Sequence, residues 1–310
     1  MRVSVVADVD PEPNPRVVGC NAPQEFYIVQ TCDTFVMHPL DTWPLLARSR
    51  IAGVFTDIDD TLTTTGNITP DALAALGDLK AAGLNVIAIT GRPVGWSEPF
   101  ARSWSVDAIV AENGAVLLQK KYAESLHPNE FMGKQLSKSY QQSDAVRATN
   151  YAHMQRISQR VLREVPGTLL AQDSAGRETD MAIDHSEFTQ LTPEKIAQVV
   201  AIMQGEGMNA TVSSIHINGW FGAYNKLVGA RWAVQVLYGR DLDAEMDTWA
   251  YVGDSTNDQL MFEAFPQSVG VANVRRFEAL LTHLPHYITK SARGAGFAEV
   301  AKAILSARTN

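Results

Sequence analysis

The sequence predicts an α/β fold: a parallel sheet assembled from two separated stretches of chain, with an α+β domain inserted between them. Three observations predict it. Short apolar runs alternate with helical patterns over residues 51–119 and again after Tyr224, the order that strand–helix–strand crossovers require. The chain from about Lys120 to Asn218 breaks that alternation with short strands and one long helical pattern. The 310 residues also exceed what a single compact core usually holds.

Taken in order, residues 1–50 read as an irregular extension of no assignable role, with Pro11, Pro13 and Pro15 close together and a strand expected over Glu25 to Met37. A helical stretch near Thr42 to Ala47 leads into the apolar run Ile51 to Thr56, whose composition suits a strand buried on both faces. Thr69-Pro70-Asp71 then marks a helix start: an N-cap, a proline at the first helical position and an acid in the first turn. Leu73, Leu76 and Leu79 follow at helical spacing before Gly83. Asn85 to Ile89 and Ala108 to Ala111 are the next two strands, so the sheet is parallel.

The inserted region, 120–218, carries a helix over Asp144 to Val165, strands near Thr168 to Gln172 and Thr179 to Asp184, a helix opened by Thr192-Pro193-Glu194, and a strand over Thr211 to Asn218. Alternation resumes with a helix over Lys226 to Tyr238, the strand Trp249 to Val252, a helix over Gln259 to Ala264 and the strand Ser268 to Ala272. A strand over His286 to Thr289 and a helix over Phe297 to Leu305 close the chain. The expected division is therefore a core of 51–119 and 219–310 with an α+β domain of 120–218.

Hydrophobic residues at 45% and charged residues at 19% belong to an ordinary globular protein. The net charge of -8 argues against a nucleic-acid partner, whose phosphates are gathered by clustered Lys and Arg. An acidic protein can still hold a phosphate locally, provided a metal ion or a few aimed donors offset its field. Cys20 and Cys32 are too few for a disulfide framework and lack zinc-ligand spacing, which suits a reducing cytoplasm. No run approaches the roughly 20 apolar residues of a membrane span, so no membrane partner is expected. Monomer and homodimer are both left open.

In an open parallel sheet, ligands bind beyond the carboxyl ends of the strands. Asp57-Ile58-Asp59-Asp60-Thr61-Leu62 follows the first strand, Thr90-Gly91-Arg92 the second, Glu112-Asn113-Gly114-Ala115 the third, and Gly253-Asp254-Ser255-Thr256-Asn257-Asp258 the strand ending at Val252. Lys226 opens the helix after the insert, where a cation is unhelpful to the helix dipole. An isolated Asp-x-Asp commonly marks a solvated turn. Several motifs in order, each at a strand end or helix start, point instead to one shared site.

On these residues the chain resembles the haloacid dehalogenase superfamily, in particular its large-cap members, the Cof-like and sucrose-phosphate-phosphatase-like subfamily IIB. The resemblance runs from Ile51 to the C-terminus and implies a Rossmann-like core. It implies that Asp57 attacks phosphorus, that Asp59 protonates the leaving alcohol and later deprotonates water, and that Thr90 and Lys226 stabilise the transferring group. It implies Mg2+ held by Asp57, by the backbone carbonyl of Asp59 and by Asp254, because a carboxylate repels a phosphate dianion until charge is neutralised. Gly91 and Asn113 join Thr90 and Lys226 around the phosphate; Arg92, Asn257 and Asp258 support them, Asp258 by orienting Lys226 or a metal-bound water. Asp60 and Thr61 shape the loop. Dehalogenating members lack an acid at the position of Asp59, so phosphoryl transfer is favoured over carbon–halogen cleavage.

The implied activity is magnesium-dependent hydrolysis of a small phosphate ester, with a sugar phosphate as the expected substrate. The alternatives are a phosphomutase sharing the same intermediate and a catalytically idle sugar-phosphate-binding module. In the insert, Arg177, Glu178, Asp180, His185 and His216 could meet the leaving group, although such residues are more often structural.

Overall fold

The computed structural model describes residues 36–122 and 134–308. The strand expected over Glu25 to Met37 lies, apart from its last two residues, outside the described residues. The described chain starts with β1 (His38–Pro39), a 3-10 turn at Leu40–Thr42 and α1 (Leu45–Ser49). Thr42 to Ala47 is thus not one helix, because Pro44 sits between the two pieces in an extended conformation.

The chain continues through β2 (Gly53–Thr56), a hairpin of β3 (Thr63–Thr64) and β4 (Asn67–Ile68), α2 (Pro70–Ala81), β5 (Asn85–Ile89), α3 (Val94–Ser103), β6 (Ala108–Ala111), β7 (Val116–Tyr122) and β8 (Lys134–Tyr140). Next come α4 (Asp144–Glu164), β9 (Leu169–Leu170), β10 (Asp180–Asp184), α5 (Pro193–Gly205), β11 (Asn209–Val212) and β12 (His216–Trp220). The last elements are α6 (Lys226–Tyr238), β13 (Trp249–Gly253), α7 (Gln259–Ala264), β14 (Gln267–Gly270), β15 (Tyr287–Ile288) and α8 (Arg293–Ser306).

The larger sheet has the order β1-β15-β14-β13-β2-β5-β6-β7-β8, parallel from β1 to β6, with β7 and β8 antiparallel at one edge. Alternate residues feed opposite faces: Val54, Val86 and Ala88 enter the core beneath α2, α3 and α8, while Phe55, Ile87 and Ile89 enter the core beneath α6 and α7. Each of the valine, isoleucine and phenylalanine side chains contributes about 1.5–3 kcal/mol on burial, and both faces are dry, which is why these strands read as unbroken apolar runs.

The smaller sheet, β11-β12-β10-β9, is antiparallel. It has a separate core of Met154, Ile157, Val161, Met181, Ile183, Val199, Met203 and Ile217 under α4 and α5. The expected boundary at Gln119/Lys120 falls inside β7, and pairing runs on through β8 to Tyr140. The expected strand over Thr211 to Asn218 is two strands: Val212 faces Ile217 across a turn at 213–215. In α2, Leu76 and Leu79 are buried but Leu73 is exposed, because Ala72 and Ala75 form the closer contact with α8. No described helix is long and apolar enough to cross a membrane.

Candidate active site

Adjacent parallel strands bring their following loops together at one sheet edge. Asp57 leaves β2 with its amide bonded to Val252 O at 2.8 Å, so it lies beside the loop that carries Asp254 after β13. Lys226 arrives from the start of α6, where Asn225 caps the helix by accepting from Val228 N at 2.9 Å. Its Nζ donates to Asp57 Oδ1 at 2.9 Å and to Asp258 Oδ1 at 2.6 Å, and the lysine is 2% exposed.

Asp258 holds that geometry. Its Oδ1 also accepts from Tyr251 Oη, and its Oδ2 accepts from the amides of Asp254 at 2.9 Å and Ser255 at 3.1 Å. With four donors, Asp258 orients Lys226 and ties down the loop that presents Asp254. Asp254 Oδ2 accepts from Asn273 Nδ2 at 2.8 Å, while its Oδ1 is buried with no hydrogen-bond partner among the described residues.

The carboxylates of Asp57, Asp254 and Asp258 each offer an oxygen within 4.8 Å of the others. Three acids face the single ammonium of Lys226 in a place almost closed to water. Burial pushes the Asp57 carboxyl from 3.8 up to about 7, with Lys226 pulling against it. Burial, with the neighbouring Asp258 and Asp57, drives Asp254 well above its ordinary range. Against its own burial, Lys226 is pushed up by Asp258 and Asp57. A hard divalent cation fits this set: it matches the excess charge, takes oxygen ligands and meets the unpartnered Asp254 Oδ1.

Asp59 pairs outside that cluster, although its charge also helps raise the Asp57 carboxyl. Both of its carboxylate oxygens accept from Arg92 Nε at 3.0 Å. Arg92 is 5% exposed, lies over the Trp96 ring and also bridges to Asp173 at 3.1 Å and Glu187 at 2.8 Å. Glu187 in turn meets His216 Nε2 at 2.9 Å. The sequence singled out His216 but offered no signal for Glu187, an ordinary acid in the loop after β10. Both line up through Arg92 with Asp59.

Thr90 is fully buried, and its Oγ1 accepts from the Arg92 amide at 3.0 Å. The Gly91 carbonyl accepts from Arg177 Nη1 at 3.0 Å and Asn218 Nδ2 at 3.2 Å, tying this loop to the insert. Asn113 shares a cavity of about 270 Å³ with Lys226 and Asn257, and its side-chain amide donates to Asp180 at 3.5 Å. Asn257 Oδ1 accepts from Ser255 Oγ at 2.9 Å. Among the insert residues singled out, Arg177 and Asp180 form a buried pair at 2.8 Å, His185 bonds Ser213 O at 2.9 Å and Glu178 bonds Lys138 at 2.9 Å. All four are thus engaged by protein partners.

Besides Glu187, the sequence left Asn273 unmarked and gave Glu112 no role beyond its place in the motif after the third strand. Glu112, fully buried, accepts from the amides of Val94, Glu178 and Thr179 and from Thr179 Oγ1, joining the end of β6 to the insert. Asn273 donates to Asp254 Oδ2 and Asp60 O, and its Oδ1 accepts from Arg293 N. Its position directly after the expected strand Ser268 to Ala272 was the available signal.

Comparison with known proteins agrees with this architecture. Residues 54–300 match the model of the haloacid dehalogenase-like hydrolases. The solved structures of similar fold include a Thermoplasma acidophilum protein, with TM-score 0.59 at 16% identity over 82% of this chain and 98% of that one. The sucrose-phosphatase of Synechocystis sp. PCC6803, solved with sucrose and phosphate, has TM-score 0.56 at 16% identity over 81% and 97%. A HAD subclass IIB sugar phosphatase has TM-score 0.53 at 14% identity over 82% and 98%. No curated protein matches the chain significantly. With the family model covering most of its length, the chain belongs to the haloacid dehalogenase-like hydrolases.

Proposed function

We propose that this protein is a magnesium-dependent phosphatase of a small phosphate monoester, a sugar phosphate by preference, acting through an aspartyl-phosphate on Asp57. The observation that carries the reading is the buried set of Asp57, Lys226 and Asp258 beside an Asp254 oxygen without a partner. Asp57 and Asp254 would hold the ion, and the bound cation would neutralise phosphate charge so that a carboxylate can approach phosphorus. Lys226 fixes the Asp57 carboxylate for in-line attack and places its charge beside the incoming oxygens. Asp59, oriented by Arg92, gives a proton to the departing alkoxide and takes one from the water that cleaves the acyl phosphate. Thr90 and the loop to Arg92 border the transferring group. The insert acts as a cap that excludes bulk water during transfer.

The test is inorganic phosphate release from a panel of phosphate esters. Steady release with magnesium, loss on chelation and loss in Asp57→Asn are the expected results. Release unaffected by either change ends this reading, and isomerised sugar phosphate without free phosphate makes the protein a phosphomutase.

A further inference from the structure

A cavity of about 530 Å³ opens beside Asp59 and Arg92, on the side where a leaving group must sit to receive the Asp59 proton. Its far wall holds Arg276 and Arg293, and both guanidinium groups lean on one carboxylate: Arg293 Nε donates to Asp60 Oδ1 at 2.8 Å and Arg276 Nη2 to Asp60 Oδ2 at 3.3 Å. On this wall two cations share one anion, while across the whole cavity three arginines face the three acids Asp59, Asp60 and Glu187. The terminal nitrogens of Arg293 donate to no described residue, whereas Arg92 is already engaged by Asp59, Asp173 and Glu187.

The wall is also built with strain. Five described non-glycine residues adopt a positive φ, and three of them line this cavity: Asp60 at 53°, Thr65 at 50° and Arg293 at 58°. Such a conformation is costly for a residue with a side chain, and strain of this kind gathers where a ligand must be met. Arg293 is pinned in that conformation by Asn273 Oδ1, which accepts from its amide at 2.9 Å. The same Asn273 donates to Asp254. One side chain therefore sets the arginine wall relative to the catalytic carboxylates.

We propose that the leaving group carries a second anionic group, a carboxylate or a second phosphoryl group, held by Arg276 and Arg293. A guanidinium with free terminal N–H groups suits the planar pairing that either anion offers. The inference rests on the phosphatase reading and narrows its substrate class. Matched esters test it: glucose against gluconate, each phosphorylated on its terminal carbon, and fructose monophosphate against fructose bisphosphate. In the native enzyme kcat/KM is expected to favour the ester with the added anion by about ten- to hundredfold, the worth of one charge-assisted contact. Arg276→Gln and Arg293→Gln should each collapse that ratio toward one, and a preference confined to one pair identifies which anion the wall takes. A native ratio near one for both pairs, or a ratio that survives both substitutions, overturns the inference and leaves the phosphatase reading standing. Absence of phosphate release from every ester overturns both.

Discussion

At the scale of single residues, the site is an excess of buried carboxylate whose charge a cation would offset. The raised Asp57 carboxyl favours the protonated form in the fold, so its contribution to stability is full below about 3.8 and is lost as the pH rises through about 7. A divalent ion competes with that proton. The rise in Tm on adding magnesium is therefore expected to be small near pH 5 and to grow through neutrality, read by thermal unfolding across pH. A magnesium effect that shrinks over that range contradicts the assignment. Asn273→Ala leaves Asp254 Oδ2 without its donor, so magnesium affinity should fall by about 10- to 100-fold, measurable by calorimetry without substrate. At this scale Asp57, Lys226, Asp254 and Asp258 were legible, because each follows an apolar strand or opens a helix. Glu187 was not, since a lone polar residue in a loop has no pattern until its neighbours are known, and Asn273 had only its place after an expected strand to mark it.

Among the elements, the approach of α6 to the turn after β6 decides where Lys226 points. A Cβ on Gly229 would stand 2.5 Å from Gly114 Cα, and one on Gly114, at φ +110°, would collide with the Asn225 carbonyl. The two glycines let the start of α6 lie backbone against backbone on residues 112–114. Gly229→Ala should cost about 1–3 kcal/mol in denaturant unfolding, and it should lower kcat because Lys226 shifts away from Asp57. Unchanged kcat with the expected loss of stability would show that the helix accommodates the methyl without moving the lysine. The strands and α2 were readable from runs and caps. Helix α3 was not, since Pro93 and Pro99 interrupt its pattern; Pro93 precedes the first helical residue, and Ser97 bonds back to its carbonyl.

For the whole molecule, the core-side loops and the insert are stitched by the ion pairs of Arg92, by the hydrogen bond from Arg177 to the Gly91 carbonyl and by the donors gathered on Glu112. Glu187 is one titratable stitch. Against the burial that raises it, hydrogen bonds from His216 and Arg92 bring its carboxyl from 4.5 down to about 2. Its contribution is full above 4.5 and is lost as the pH falls through about 2. Hydrogen exchange of the loop at 185–190 should accelerate in that window in the native protein, whereas Glu187→Gln should exchange quickly already at neutral pH. Equal protection in both forms would make the Arg92–Glu187 pair incidental to closure.

The fold class, much of the strand and helix order, and the principal aspartates and lysine of the site were determined by the sequence itself, because burial, capping and helix polarity are local demands written at fixed spacings. Only the tertiary structure decided that β7 and β8 extend the larger sheet, that Asp59 faces Arg92 rather than the carboxylate cluster, and that Glu112, Glu187 and Asn273 matter. Those outcomes depend on which groups meet across separations of up to 213 residues, as in the Asn273–Asp60 contact. Charge pairing between distant loops follows from packing alone, and a linear pattern carries no record of it.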